Sequence, residues 1–531
     1  MKKTLSWGKI IFAAILVSFV VYAGLFIWHT RLDLGGATYF SLFDDEMISM
    51  RYAKNLVHGY GLVFNPGGER VEGYTNLLWV LYMALFHLLP IAASKISLTI
   101  QISGGVFLFT SLFFVHKIAK KLSNGSYLVA NIAVLLTAFY YPLVNWSLQG
   151  LEVSVLILMV AIAAWLGLQA MEREKTPYGL LIMLGVGTLV RLDVAVVAGA
   201  VTLCLLFFGP RSQWRKTLLT AVIIVGAFLV GQTLFRVLYY GDWVPNTYTL
   251  KMVGYPLLYR LSRGLYIFLK FVWLFNWALF LLPFLVVIKN RRKDLWFLVI
   301  VFFLQVLYSI YVGGDAWEWF GGSNRYISIV MPLFFVLFAF SVGELLNALR
   351  KALSGSSPWM LRALPLVAVA SVVLSLVSFN SLLDIKSLKL WALIDPPLHV
   401  GDDDDLVYSS LLINSFTTEN ARIAVVQAGI EPYFGGDRTY IDILGKNDKY
   451  IANLPMRFSE DQNKWIGFYP GHMKWDYAYS IGTLKPDVIA DLYKDESEAD
   501  PYLTDYVEYR VYSYSFYLRK DSKNILWDLV K

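Results

Sequence analysis

Between Ile10 and Ser381 the chain is a series of apolar runs of roughly bilayer length, broken by short clusters of lysine and arginine. A helix needs about 20 apolar residues to cross a hydrocarbon core, and eleven segments approach that measure: 9–28, 97–116, 126–144, 151–169, 177–190, 193–209, 217–238, 265–288, 294–312, 326–345 and 363–381. Within lipid every backbone polar group must find its partner inside the protein. The expected class is therefore an α-helical polytopic membrane protein. A hydrophobic content of 57% and a mean hydropathy of +0.55 exclude an ordinary soluble globule.

A further apolar stretch, 77–91, is short. As a full span it would put Lys117, Lys120 and Lys121 outside the cell. As an interfacial helix on the outer face it lets every basic cluster fall on one side: Lys2/Lys3/Lys9, Lys117/Lys120/Lys121, Arg173/Lys175, Arg211/Arg215/Lys216, Lys289/Arg291/Arg292/Lys293 and Arg350/Lys351/Arg362. The expectation is eleven spans with the N-terminus cytoplasmic and the C-terminus external. The net charge of +7 reads as this orientation signal, so no nucleic-acid partner is expected. Ile10 to Trp28 follows lysines and lacks a small-residue cleavage site, as a retained signal anchor would. Cys204 is the single cysteine, which excludes an intrachain disulfide and a cysteine-based metal site.

This topology predicts a membrane domain over 1–381, with a first external loop at 29–96, and an external α/β domain over 382–531, where hydropathy collapses. In the latter, 422–426, 439–444 and the alternating run 506–518 read as strands and 459–477 as an aromatic-rich loop. Gly401 to Asp405 reads as a solvated linker or helix start. Trp317 and Trp319 are expected interface anchors.

The polar motifs all fall on the external side. Foremost are Asp44, Asp45 and Glu46, three consecutive acids about fifteen residues beyond the first apolar run. Ile48, Tyr52 and Leu56 follow at four-residue spacing, which predicts an amphipathic helix lying on the membrane with the acids near its N-terminus, where the dipole favours their ionised form. A carboxylate held there could deprotonate a hydroxyl delivered from outside. The alternative is a helix cap with a solvated acidic first turn. Oxygen ligands alone would suit magnesium, manganese or calcium; the sequence requires no cofactor and leaves a divalent cation open.

From Asp44 onward the pieces become specific: Asp44-Asp45, then Arg51-Tyr52-Ala53-Lys54-Asn55-Leu56, Gly61-Leu62-Val63-Phe64-Asn65-Pro66-Gly67, and Glu69-Arg70-Val71-Glu72-Gly73-Tyr74-Thr75-Asn76. This arrangement resembles the first external loop of the mycobacterial terminal arabinofuranosyltransferases of the AftB type, members of the GT-C glycosyltransferases. More distant members are the protein mannosyltransferases and the aminoarabinose transferase ArnT. Arg191-Leu192-Asp193, Gly241 to Thr247, Gly313-Gly314-Asp315 with Arg325-Tyr326, Ala428-Gly429-Ile430, Ile441 to Gly445 and Pro470-Gly471-His472 match in order, so the resemblance covers nearly the whole chain.

The resemblance implies the GT-C fold and an inverting transfer of a sugar from a polyprenyl monophosphate. The acceptor would be a cell-envelope glycan or glycolipid at the external face of a bacterial plasma membrane. It implies arabinofuranose as the sugar; mannose, galactofuranose or another pentose would leave the same marks. It makes Asp44 the base, with Asp45 second as an orienting or cation-binding group, and leans to a monomer. The leaving phosphate calls for cationic donors, for which Arg191 and Arg325 at span ends come first, then Lys251, Arg51 and Arg70. Arg191 with Asp193 and Arg325 with Asp315 could equally be structural ion pairs, and span-end basic residues can snorkel. Glu72, Tyr74, Asn76, Asp193, Asp242, Trp243, Asn246 and Asp315 offer sugar-recognition groups or loop braces. His472 either lines the acceptor route or is a surface loop histidine.

Two other classes compete. A flippase for lipid-linked sugars would place charges at mid-membrane and often shows two related halves, whereas here the charges gather at one face and no repeat is evident. An inert glycan-binding protein on the same fold would lack the base, and the acid pair argues against it.

Overall fold

The computed structural model describes residues 7–318, 324–353, 358–458, 463–494 and 496–530. Lys2, Lys3, the expected anchor Trp319, the Arg362 side chain and part of the expected 459–477 loop lie outside the described residues. Each of the eleven apolar segments falls on a helix or a helix pair. Among the described residues, seven helices are long and apolar enough to cross a bilayer. Two pairs, Tyr127–Ala138 with Tyr141–Leu148 and Leu257–Leu274 with Trp277–Asn290, bend by 55° and 96° at short breaks, and counting each as one span gives up to nine. Tyr178–Val190 and Val194–Phe208 account for the remaining two expected spans; with 13 and 15 residues they reach only about 20 Å and 22 Å at about 1.5 Å per residue. The chain is a multi-pass membrane protein.

The chain divides into two compact units, one of Met1–His29, Ile102–Leu229 and Arg260–Pro397, the other of Thr30–Gln101, Val230–Tyr259 and Leu398–Lys531. The first unit is helical. Its centre is the first part of the helix Met331–Ala352, whose residues from Met331 to Gly343 are all buried, so this stretch is packed on every side. Around it the rings of Phe275 and Phe379 stack at 4.2 Å and those of Phe280 and Phe334 at 5.3 Å, arrangements that add to simple burial. Small residues let backbones approach: a Cβ on Gly264 would run into the carbonyl oxygen of Ile310.

The second unit opens with a hairpin of β1 (Arg31–Leu34) and β2 (Ala37–Phe40), followed by helices α1 (Asp44–Val57) and α2 (Leu77–His87). The 11 residues of α2 reach about 16 Å, too short to span, as expected for 77–91. The helix α1 starts at Asp44 as its sequence predicts, but it is not a one-sided surface helix. Asp44, every residue from Glu46 to Ala53, and Asn55 are buried, because its polar face has partners too: Ser49 donates to Asn76 at 3.0 Å, and the Asn55 amide to the carbonyls of Val63 and Phe64.

Further along lies a five-stranded sheet ordered β4-β3-β5-β7-β6, made of β3 (Arg422–Val425), β4 (Thr439–Asp442), β5 (Val488–Ile489), β6 (Tyr506–Val511) and β7 (Tyr514–Arg519). Strand β3 runs parallel to β4 and β5, while β7 runs antiparallel to β5 and β6. The three strand regions read from sequence are present, the last as a hairpin. Gly401 to Asp405 is the start of the helix Val400–Phe416, and Asp403 in its first turn is buried rather than solvated.

Candidate active site

Five of the sequence candidates, Asp44, Asp45, Asn246, Lys251 and His472, come together in the second unit. Asp44 stands at the first position of α1 and is 7% exposed. Its Oδ1 accepts the backbone N–H groups of Gly429 and Ile430 at 3.1 and 2.8 Å. Gly429 has to be glycine here, since a Cβ would collide with the Asp44 carbonyl oxygen. Among the described residues, Oδ2 of Asp44 has no hydrogen-bond partner. Burial pushes the carboxyl up to about 6, against the pull of Lys446 and the two amides. A carboxylate with one oxygen fixed and the other uncommitted, and with a proton affinity near neutrality, is suited to general-base work.

Asp45 is held differently, by an ion pair with Lys446, a residue the sequence reading missed. Glu46 points elsewhere and accepts from the Asn76 amide at 3.3 Å. The three consecutive acids thus have three separate partners, and no group of three or more metal-type ligands forms among the described residues. Lys446 is 7% exposed. Burial works against its ammonium, but Asp45, Asp44 and Asp442 outweigh it and raise its pKa.

The loop carrying Lys446 is fixed from two sides. The Asp442 carboxylate accepts the backbone N–H of Leu444, Gly445 and Asn447 at 2.8–3.1 Å. The Asn246 amide meets the carbonyls of Gly445 and Lys446, each at 2.9 Å. Asn246, a candidate for sugar recognition, is therefore a brace for this loop.

His472 is buried, not the surface residue its loop position suggests. Burial first, then the charge of Lys446, push it down to about 3, so the ring is neutral. Its Nδ1 lies 3.1 Å from the Pro470 carbonyl; Nδ1 therefore carries the proton and donates it, leaving Nε2 as an acceptor. Lys251 lies near enough to lower the ring further.

The other candidates of this unit hold the fold together. Arg51 is a correction: its five donors meet the carbonyls of Phe64, Pro432, Gly436 and Arg438 and the Asn65 amide oxygen, which leaves none for a phosphate. Glu72 forms a buried ion pair with Arg236, also missed from sequence. The hydroxyls of Tyr74 and Tyr240 bond at 2.9 Å, and Asn76 bridges Ser49 and Glu46. Asp242 pairs with Lys449 at 2.8 Å; the Arg70 guanidinium stacks on Tyr239 at 4.5 Å; Trp243 is 75% exposed.

In the first unit Arg191 and Arg325 take the structural-pair form. Arg191 binds Asp193 through two bonds of 2.7 Å and Glu152 at 3.1 Å, with its guanidinium over the Tyr326 ring. Arg325 grips Asp315 at 2.6 and 2.7 Å. A third pair, Arg263 with Glu318 at 2.8 Å, had no motif to announce it.

Comparison with known proteins matches residues 80–235 to the dolichyl-phosphate-mannose-protein mannosyltransferase family, and residues 405–522 to a domain of unknown function, DUF8728. The chain is 28% identical over 218 residues to the terminal beta-(1->2)-arabinofuranosyltransferase of Mycobacterium tuberculosis, covering 38% of this chain and 34% of that protein. It is 28% identical over 346 residues to the Corynebacterium glutamicum protein of the same name, covering 56% and 47%. The chain thus matches between a third and a half of the length of these curated relatives. In three dimensions it is similar to ArnT from Cupriavidus metallidurans bound to undecaprenyl phosphate, with 9% identity, a TM-score of 0.58 and coverage of 96% of this chain and 98% of that chain. The Archaeoglobus fulgidus oligosaccharyltransferase gives 11% identity, a TM-score of 0.58 and coverage of 91% and 69%. The chain has the GT-C fold of these membrane proteins, and part of its sequence resembles the terminal arabinofuranosyltransferases.

Proposed function

We propose that the chain is an inverting glycosyltransferase that moves a sugar from a polyprenyl monophosphate to a cell-envelope glycan or glycolipid, with Asp44 as its base. The observation that carries this reading is the division of labour at Asp44: Oδ1 pinned by two amides, Oδ2 uncommitted. In the reaction, the acceptor hydroxyl gives its proton to Oδ2 as its oxygen bonds to the anomeric carbon. The bond from that carbon to the phosphate oxygen breaks, and the electron pair leaves with the phosphate. The carboxylate also stabilises the positive charge that builds on the sugar ring.

The basic clusters support an orientation in a bacterial plasma membrane with the N-terminus cytoplasmic and the Asp44 loop external. The names of the curated relatives favour arabinofuranose as the sugar. The mannosyltransferase family match makes mannose the second donor to try.

The test is sugar transfer by the full chain in nanodiscs, with polyprenyl-phosphoryl arabinofuranose and a short arabinan acceptor. Transfer by the natural chain and its loss in Asp44→Asn is the expected result. Equal transfer by both removes Asp44 as the base. Transfer from the mannosyl donor alone keeps the reaction class and changes the sugar.

A further inference from the structure

Asp44 and Asp45 are consecutive carboxylates in a buried site. Two like charges this close disfavour each other, and one of them tends to keep its proton. A base that must be ionised therefore needs the charge of its neighbour cancelled. A cation paired with Asp45 comes from far along the chain: Lys446, 401 residues later.

Every element packed on Asp44 contributes titratable groups. Asp45 and Glu46 lie on its own helix. Asp403, on the helix Val400–Phe416, accepts the Asp44 backbone N–H, and Glu431 follows the two clamping amides. Burial pushes Glu431 up to about 8, so it is largely neutral near pH 7, and holds Asp403 well above the usual carboxylate range. Asp442 and His472 face Lys446. The neutral His472 adds no charge, and Asp442 is engaged with three backbone N–H groups.

We propose that Lys446 is a positioning residue for the transfer: its ammonium, paired with Asp45 and close enough to act on Asp44 too, lets Asp44 stand as a carboxylate able to take the acceptor's proton. This rests on the reading of Asp44 as base. It assigns to the C-terminal region a role in setting when the enzyme works, distinct from recognition of the acceptor.

The pH dependence of transfer by the full chain in nanodiscs, with polyprenyl-phosphoryl arabinofuranose and a short arabinan, separates this role from direct contact with substrate. Lys446→Met should move the acid limb of the rate profile up by about one pH unit or more, with rate recovered at higher pH. Lys446→Arg should restore the natural limb. Adding Asp45→Asn to Lys446→Met should bring the limb part of the way back, because the Asp45 charge is gone while the direct pull of Lys446 on Asp44 is lost as well. Asp45→Asn alone should move it down. A uniform loss of rate at every pH in Lys446→Met, or no return of the limb in the double variant, overturns the proposal.

Where Lys446→Met fails to fold, the Asp45→Asn limb decides, and an unmoved limb is again fatal. If the natural chain transfers nothing, the transferase reading fails. The role of Lys446 is then read without turnover, from the carboxyl band that disappears in infrared difference spectra of Asp44→Asn. A titration midpoint for that band that Asp45→Asn and Lys446→Met leave in place overturns it.

Discussion

Two groups of buried charge stand in contrast, one in each unit. In the first unit Arg191, Asp193 and Glu152, and likewise Arg325 with Asp315, close on themselves: each guanidinium meets its carboxylate through two bonds. In the second unit Asp44 and Asp45 sit side by side but are satisfied unequally, one by amides at a single oxygen, the other by a lysine. Closed pairs of this kind set geometry, and breaking one strands a buried charge. An incompletely satisfied acid can exchange a proton. The position of a charged residue at a span end therefore says less about chemistry than the number of its atoms still without a partner.

Removing the unequal acid should have the largest effect. Asp44→Asn keeps an oxygen for the two amides and loses the base, so transfer should fall by about 10²- to 10⁴-fold while the unfolding temperature is retained. A matching loss of folded protein would place Asp44 with the structural charges. Arg191→Met should show the reverse: destabilisation of about 3–5 kcal/mol, since Asp193 and Glu152 are left buried without a cation, read as lowered thermal stability in detergent. A variant that folds normally but no longer binds donor would return Arg191 to phosphate recognition.

Gly429→Ala tests the clamp itself. Its added methyl displaces the Asp44 backbone, and a misplacement of this kind should cost kcat about 10- to 100-fold, more than it costs KM. The natural rate profile is a milder probe: with Asp44 at about 6, each pH unit below that should cut transfer about tenfold, because the protonated acid accepts nothing. An acid limb near 4 would mean that burial does not govern the base. Smallest of all, Lys449→Ala breaks half-exposed pairs with Asp242 and Glu69 and should change stability by less than about 1 kcal/mol.

Much of this was legible in the sequence. Apolar run length located the membrane helices, and β-rich alternation located β3, β4 and the final hairpin. The acids at 44–46 marked the start of α1 because a helix N-terminus favours negative charge. What could not be read was partnership across long separations. Lys446 directly follows the Ile441–Gly445 motif without belonging to it, and nothing local ties it to Asp45. Arg51 lies in a motif that invites a phosphate reading, yet its acceptors are mostly backbone carbonyls, which any residue supplies and no pattern announces. Asp403 looked solvated because four acids in a row usually are; packing buried that one alone of the four. The two spans that fall short in length show a further limit, since hydropathy reports that a segment avoids water and not how far it reaches.

The Arg51 cluster also has a consequence in time. Three of its acceptors, on Pro432, Gly436 and Arg438, are made 381 to 387 residues after it. At about 5–20 residues per second a ribosome needs about 20–80 s to reach them. For that interval α1 has been synthesised but neither Arg51 nor Asp44 has its full set of partners. A chain interrupted before Gly429 would carry the whole acid motif and still lack the groups that make it a site.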